Sequence, residues 1–156
     1  MTIKTRKVAI QDIKELMPLI QQLGYSTTEE NLIARISLYQ HGTNERAWVA
    51  LEDDSIVGCV AIHVYDLFHS TDRFGRIVSL IVKDTHRRLG IGRRLLLRAE
   101  RFASIKNCTA IELTSSVKRH KFGTHKFYAS LGYHNEGEYK TTYLRKYLQI
   151  KDGPHI

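Results

Sequence analysis

The sequence has little cysteine: Cys59 and Cys108 are its two, they make neither a disulfide framework nor a zinc-ligand spacing, and each lies in an apolar run suited to a buried thiol. Neither is a candidate nucleophile. Long apolar runs are also lacking. Stretches such as Leu95-Leu96-Leu97 are broken by charge far short of a bilayer's thickness, and no apolar signal region opens the chain, so no membrane partner and a cytoplasmic location are expected. None of the eight histidines stands in an HExxH or comparable paired spacing, so no metal is expected. Repeats, low-complexity tracts and linkers are absent, and 156 residues suit a single domain over 1–150 with a short tail at 151–156. Negative charge is in short supply: 24 Lys and Arg stand against 16 Asp and Glu, a formal charge of +8. That excess suits an anionic partner, which charge alone leaves open between nucleic acid, a phosphorylated cofactor and an acidic surface.

What is present is a regular alternation of strand and helix patterns. Thr2 to Val8 alternates charged and apolar residues as an edge strand does. A helix follows from about Gln11 to Leu23, with Ile13, Leu16, Ile20 and Leu23 on one face, Gly24 as its stop, and a kink or break expected at Pro18. Thr27 and Glu30 form a capping box for a second helix ending at His41-Gly42. Arg46–Leu51 and Ser55–Tyr65 are strand-like runs joined by the acidic turn Glu52-Asp53-Asp54, and Arg73–Lys83 returns antiparallel after a polar loop. From Ile91 to Lys106 the period becomes helical: Ile91, Leu95, Ala99, Phe102 and Ala103 make a buried stripe, while Arg94, Arg98 and Arg101 share a face read as solvated surface. Thr109–Thr114 is a strand expected to run parallel to Arg73–Lys83, since a helix separates them. A helix over Lys118–Ser130 and a last strand over Tyr139–Leu148 complete the pattern. On that strand Tyr139, Tyr143 and Tyr147 share a face that serves equally as core, acceptor wall or dimer contact.

Between the strand pattern at Ile77–Val82 and the helix at Ile91 lies Arg87-Arg88-Leu89-Gly90-Ile91-Gly92. Strand, glycine turn and helix together form an anion-binding layout: glycines let successive N–H groups converge, and the helix start adds unpaired donors and about half a positive charge. An isolated Gly-x-Gly serves equally as a plain tight turn. A dinucleotide-binding reading, with Glu112 as the ribose-binding acid, fails because Leu95 stands where the third glycine belongs. No Lys-Ser or Lys-Thr follows to make a Walker loop.

Leu80-Ile81-Val82, the Arg87–Gly92 segment and Lys126-Phe127-Tyr128-Ala129-Ser130-Leu131-Gly132-Tyr133 together resemble the GCN5-related N-acetyltransferase (GNAT) family. The resemblance covers nearly the whole chain. It implies an α/β fold with a splayed, mixed, mostly antiparallel sheet flanked by about four helices. It also implies acetyl-CoA as co-substrate, bound along Leu80, Ile81 and Val82 and in the turn of Arg87, Arg88, Leu89, Gly90, Ile91, Gly92 and Arg93. Tyr128 matches the family tyrosine that protonates the leaving sulfur. The amine attacks the thioester directly, and family members are frequently dimers, so a homodimer is an expectation here. Asp84, Arg88 and Thr124 depart from the Pro, small residue and Ala common at those places.

The acceptor implied is a small-molecule amine, and Tyr25, His63 and Asp66 are candidates to line its site, with Tyr65 and His69 nearby in sequence. The strand before the glycine turn offers Arg76 and Ser79 where some relatives carry a carboxylate, which leaves the base open between a side chain and a water chain. Competing readings are a non-catalytic acyl-CoA-binding regulator, a basic nucleic-acid-binding module and a protein amine acetyltransferase. The arginine helix has no interleaved aromatic residues to favour nucleic acid.

Overall fold

The structure, a computed structural model, describes residues 2–116, 123–137 and 140–148. Their contacts fall into two compact units, Met1–Val117 and Lys118–Ile156. The first unit begins with β1 (Ile3–Lys7), a 3₁₀ turn over Ile10–Asp12, α1 (Ile13–Gln22) and α2 (Glu29–His41). It continues through β2 (Glu45–Glu52), β3 (Ser55–Asp66), β4 (Arg73–Val82), a second 3₁₀ turn over Asp84–His86, α3 (Ile91–Ile105) and β5 (Ala110–Leu113). The strands form one sheet in the order β1-β2-β3-β4-β5, antiparallel except for the parallel pair β4–β5. That pair is the one a helix interrupts, and only a crossover can join parallel neighbours.

Strand alternation divides the core into two layers. Val8, Ile13, Leu16, Leu19, Leu32 and Ile36 gather with Ala47, Val49, Ala61 and Ile81 under α1 and α2. The intervening residues face α3, whose Ile91, Leu95, Ala99, Phe102 and Ala103 are buried as the stripe predicts, with Leu96, outside that stripe, buried beside them. Burying each large apolar side chain contributes about 1.5–3 kcal/mol before chain entropy is subtracted. Two strand glycines set how closely α3 approaches. A Cβ on Gly58 would lie 2.9 Å from the Ile81 carbonyl and 3.2 Å from Ile91, and one on Gly75 would lie 3.2 Å from the Ala103 Cβ. Gly58 thereby brings the first turn of α3 down onto β3 and β4.

Several local expectations are corrected. Of the kink or break expected at Pro18, the break does not occur, because α1 continues through it. The proline removes one backbone bond, but buried Leu16 and Leu19 on either side hold the helix to the sheet. Thr28, not Thr27, caps α2, accepting from the Asn31 N–H at 3.2 Å. Thr27 is instead bonded by Arg35. The hairpin turn at Asp53-Asp54 has φ of 47° and 64°, the left-handed pair whose twist matches flanking antiparallel strands. The arginine face of α3 is more than solvated surface: Arg94 donates to the Ile3 carbonyl and Arg98 to the Thr5 hydroxyl, each at 2.9 Å. Those bonds fasten the helix to β1, where an edge strand would otherwise present unpaired groups.

In the second unit, α4 covers Thr124–Ser130, and the earlier part of the expected helix includes residues outside those described. Residues 140–148 belong to no strand, and Tyr139 lies outside the described residues. Arg145 stacks on the Tyr143 and Tyr147 rings at 5.3 and 5.7 Å. Leu144 and Leu148 are more than four-fifths exposed. Alternation in sequence supplies no pairing partner by itself. No helix among the described residues is long and apolar enough to cross a membrane.

Candidate functional site

Strand β4 is paired on both sides for only part of its length. Its parallel ladder with β5 runs from Phe74↔Ala110 to Ile77↔Leu113 and stops. On the β3 side, Ile62 pairs with Ile77 and Ala61 with Ser79, so Val78 is a bulged residue with no counterpart. Bulges bend the strand that carries them, and this one falls where β5 is left behind. Beyond it, among the described residues, no strand lies on the other side of β4.

Antiparallel alternation shows which groups that open edge presents. The Lys83 N–H donates to the Val57 carbonyl at 2.8 Å, which makes Lys83 and Val57 a hydrogen-bonded pair. Ile81 with Cys59 and Ser79 with Ala61 are then also bonded pairs, while Leu80 and Val82 turn their N–H and C=O away from β3. Gln22, the last residue of α1, donates to the Val82 carbonyl at 2.9 Å and accepts from the Asp84 N–H at 3.1 Å. Among the described residues, the groups left along the edge are the Leu80 N–H and C=O and the Val82 N–H. They match an extended ligand that carries amides.

The chain then enters the glycine turn. Arg88 (φ 62°) and Gly90 (φ 78°) are both left-handed. Such residues curl neighbouring N–H groups toward one point. The first bond within α3 runs from the Arg94 N–H to the Gly90 carbonyl, so the N–H groups of Ile91, Gly92 and Arg93 have no carbonyl of their own helix. Gly90 caps the helix without a side chain, and a Cβ there would meet nothing within 4 Å. The site is an open cradle of donors at a positive helix end, which fits a phosphate group. Asp84, an acid that would repel such a guest, is paired with Arg87 at 2.5 Å. His86 is held by the Glu52 carboxylate and the Thr85 hydroxyl, each at 2.7 Å, which ties the turn to the end of β2.

The acceptor candidates separate. Tyr25 is two-thirds exposed on the α1–α2 connection. Asp66 forms an exposed pair with Arg73 at 2.7 Å, which holds its carboxyl below the usual range. His63 belongs to a polar row that the sequence reading missed. Glu45 pairs with His63, His63 with Arg76 and Arg76 with Glu112, one residue from each of four neighbouring strands. His63 Nδ1 lies 3.0 Å from Glu45 Oε1, and Arg76 donates to Glu112 Oε1 at 3.3 Å. The Tyr65 hydroxyl donates to that same oxygen, and its ring stacks beside His63. Each strand's own alternation signals one member of the row, but only pairing register brings them together.

Desolvation, and then the bond to Glu112, push the Tyr65 phenol up to about 12. A phenol whose folded pKa exceeds its ordinary value of about 10 stabilises the fold below pH 10 and loses that contribution as pH rises through 12. Tyr65→Phe should therefore flatten the fall of the urea midpoint between pH 10 and 12. Identical slopes in variant and wild type would reject the coupling. The Cys59 thiol, against the α1–α2 core, is also pushed up to about 12 by burial, which leaves it inert rather than nucleophilic.

Tyr128 lies on α4 in the second unit, its ring 5.1 Å from Phe127 and 5.9 Å from Tyr133. Its carbonyl accepts from the Leu131 and Tyr133 N–H groups, closing that helix. No group of His, Cys, Asp and Glu among the described residues is arranged to hold a metal.

The family described as Acetyltransferase (GNAT) family matches residues 10–133, a span that includes β4, the cradle and α4. The chain belongs to this family. Among its relatives is the aminoalkylphosphonate N-acetyltransferase of Salmonella typhimurium, 32% identical over 85 residues, which are 54% of each chain. The N-acetylaspartate synthetase of Rattus norvegicus is 34% identical over 91 residues, 58% of this chain and 28% of that one. The chain thus spans about half or less of these relatives' lengths. In fold it is similar to the glucosamine-6-phosphate N-acetyltransferase of Arabidopsis thaliana, with a TM-score of 0.80 at 21% identity over 96% of this chain and 100% of that one.

Proposed function

We propose that this GNAT protein is an N-acetyltransferase that moves an acetyl group from acetyl-CoA to the primary amine of a small molecule, both substrates being bound together. The observation that carries this reading is the continuity of two ligand surfaces. The open edge of Leu80 and Val82 runs directly into the Arg87–Arg93 cradle, so one molecule with an extended amide arm and a pyrophosphate can occupy both. The backbone of β4 would orient the arm, and the N–H groups of Ile91, Gly92 and Arg93 would receive phosphate oxygens. Leu89, half exposed beside them, and the Arg87 and Arg88 side chains would border the same group. Bound there, acetyl-CoA supplies an activated acyl thioester. The protein's part is to hold the amine in line, exclude water and provide a proton for the departing sulfur, for which we propose Tyr128. Tyr25 and His63 are proposed to face the acceptor.

The curated relatives act, by name, on aminoalkylphosphonate and in making N-acetylaspartate, which supports a small acceptor. The test follows thiol release from acetyl-CoA alone and with a panel containing an aminoalkylphosphonate, an amino sugar, a polyamine and benzylamine. Amine-dependent thiol is expected. Tight binding of acetyl-CoA with no thiol for any amine would favour an acyl-CoA-binding regulator.

A further inference from the structure

The row Glu45–His63–Arg76–Glu112 occupies the sheet face that α1 and α2 cover farther along. Ala61, two residues before His63 on the same side of β3, is in that core, so the row begins where the apolar cover ends. Its members are partly exposed: Arg76 by 29% and Glu112 by 37%. Charged side chains in mid-sheet cost desolvation, and this row offsets it by pairing from strand to strand.

Its position follows from the direction of the cofactor site. The phosphate cradle is at the C-terminal end of β4, so an arm leaving it along Val82 and Leu80 points back toward Val78. At about 3.3 Å per residue, Arg76 lies roughly 7 Å beyond that bulge, and Glu112 is its partner on β5. The acyl end of a cofactor held this way would arrive beside this row. Within it Glu112 is arranged asymmetrically: Tyr65 and Arg76 both donate to Oε1. Oε2 has no hydrogen-bond donor among the described residues. A carboxylate fixed through one oxygen, on a side chain more than a third exposed, can receive an ammonium group on the other.

We propose that Glu112 binds the ammonium of the acceptor, with Tyr65 and Arg76 as positioning residues, so that the acceptor enters as the cation of a primary amine. This rests on the acetyltransferase reading above. The bookkeeping is that of amide formation: an N–C bond forms and the C–S bond breaks. Of the ammonium's three protons, one remains on the amide nitrogen, one accompanies the leaving sulfur and one goes to water. Glu112 sets where the nitrogen waits before it loses its first proton.

Glu112→Gln keeps an oxygen for Tyr65 and Arg76 and replaces the free carboxylate oxygen with an NH₂. With the panel amine that gives most thiol, the variant should raise the amine KM at least about tenfold at pH 7 and leave acetyl-CoA affinity unchanged. Above the amine's own pKa, where the acceptor is neutral, the gap from wild type should close. A gap that persists there, or an unchanged amine KM, overturns the assignment. Tyr65→Phe provides a second reading should Glu112→Gln not fold: its amine KM should rise about threefold with acetyl-CoA affinity intact, and no rise overturns the proposal. Wild-type protein that releases no thiol with any cationic amine overturns the acetyltransferase reading itself, and Glu112's role with it.

Discussion

Gly90→Asp should abolish acetyl-CoA binding in a protein that remains folded. The substitution has room, because a Cβ at this position meets nothing within 4 Å. Its backbone cost is small for this residue type: φ is 78°, and Asp and Asn enter the left-handed region more readily than other side chains with a Cβ, at about 1 kcal/mol. A carboxylate at a helix N-terminus even favours the helix. What it opposes is the guest, since negative charge would stand where the Ile91, Gly92 and Arg93 N–H groups converge on phosphate. We expect the dissociation constant measured by calorimetry to rise more than about 100-fold, or about 2.7 kcal/mol. Gly90→Asn, with the same strain and no charge, should lose far less. Equal losses in the two variants would mean that backbone shape and not charge governs the site. Normal binding by Gly90→Asp would remove the cradle from the cofactor site altogether.

Tyr128→Phe should lower turnover by about 10²-fold while acetyl-CoA affinity and thermal stability stay near wild type. The residue closes α4 through its backbone carbonyl and packs through its ring, against Phe127 and Tyr133. Phenylalanine preserves both roles. The change therefore isolates the hydroxyl, the one group proposed to protonate the departing sulfur, and general acid catalysis of this kind contributes roughly 10²- to 10⁴-fold. A thiolate is a tolerable leaving group without help, which places the expectation at the low end of that range. The measurement is kcat with saturating amine and acetyl-CoA, paired with the affinity for acetyl-CoA. An unchanged kcat removes Tyr128 from the chemistry.

The elements that were legible in sequence are those whose signal is local. The α3 stripe was legible apart from Leu96, because a period of 3.6 needs no knowledge of what it packs against. The glycine turn was legible because left-handed backbone favours glycine, although Arg88 adopts it too and carries no such mark. The hairpin and the parallel crossover followed from strand order. Signals that depend on a partner failed. The Tyr139–Leu148 alternation argued for a last strand, whereas its described residues 140–148 belong to none. Pro18 argued for a kink or a break, and with its buried neighbours the helix runs through it unbroken. Glu112 was weighed in sequence only as a ribose-binding acid, because nothing near it in the chain reveals Tyr65 and Arg76.

Local pattern was enough for the order of strands and helices from β1 to β5, for the buried stripe of α3 and for a turn able to converge N–H groups on an anion. Each depends on residues within one or two turns of the backbone. Tertiary structure alone decided which groups of β4 are left over and which side chains meet across four strands. The bulge at Val78, the reach of β5 only to Leu113 and the bond from Lys83 to Val57 set those outcomes. Pairing register is a long-range property: a slip of one residue turns every side chain to the opposite face without altering any local pattern.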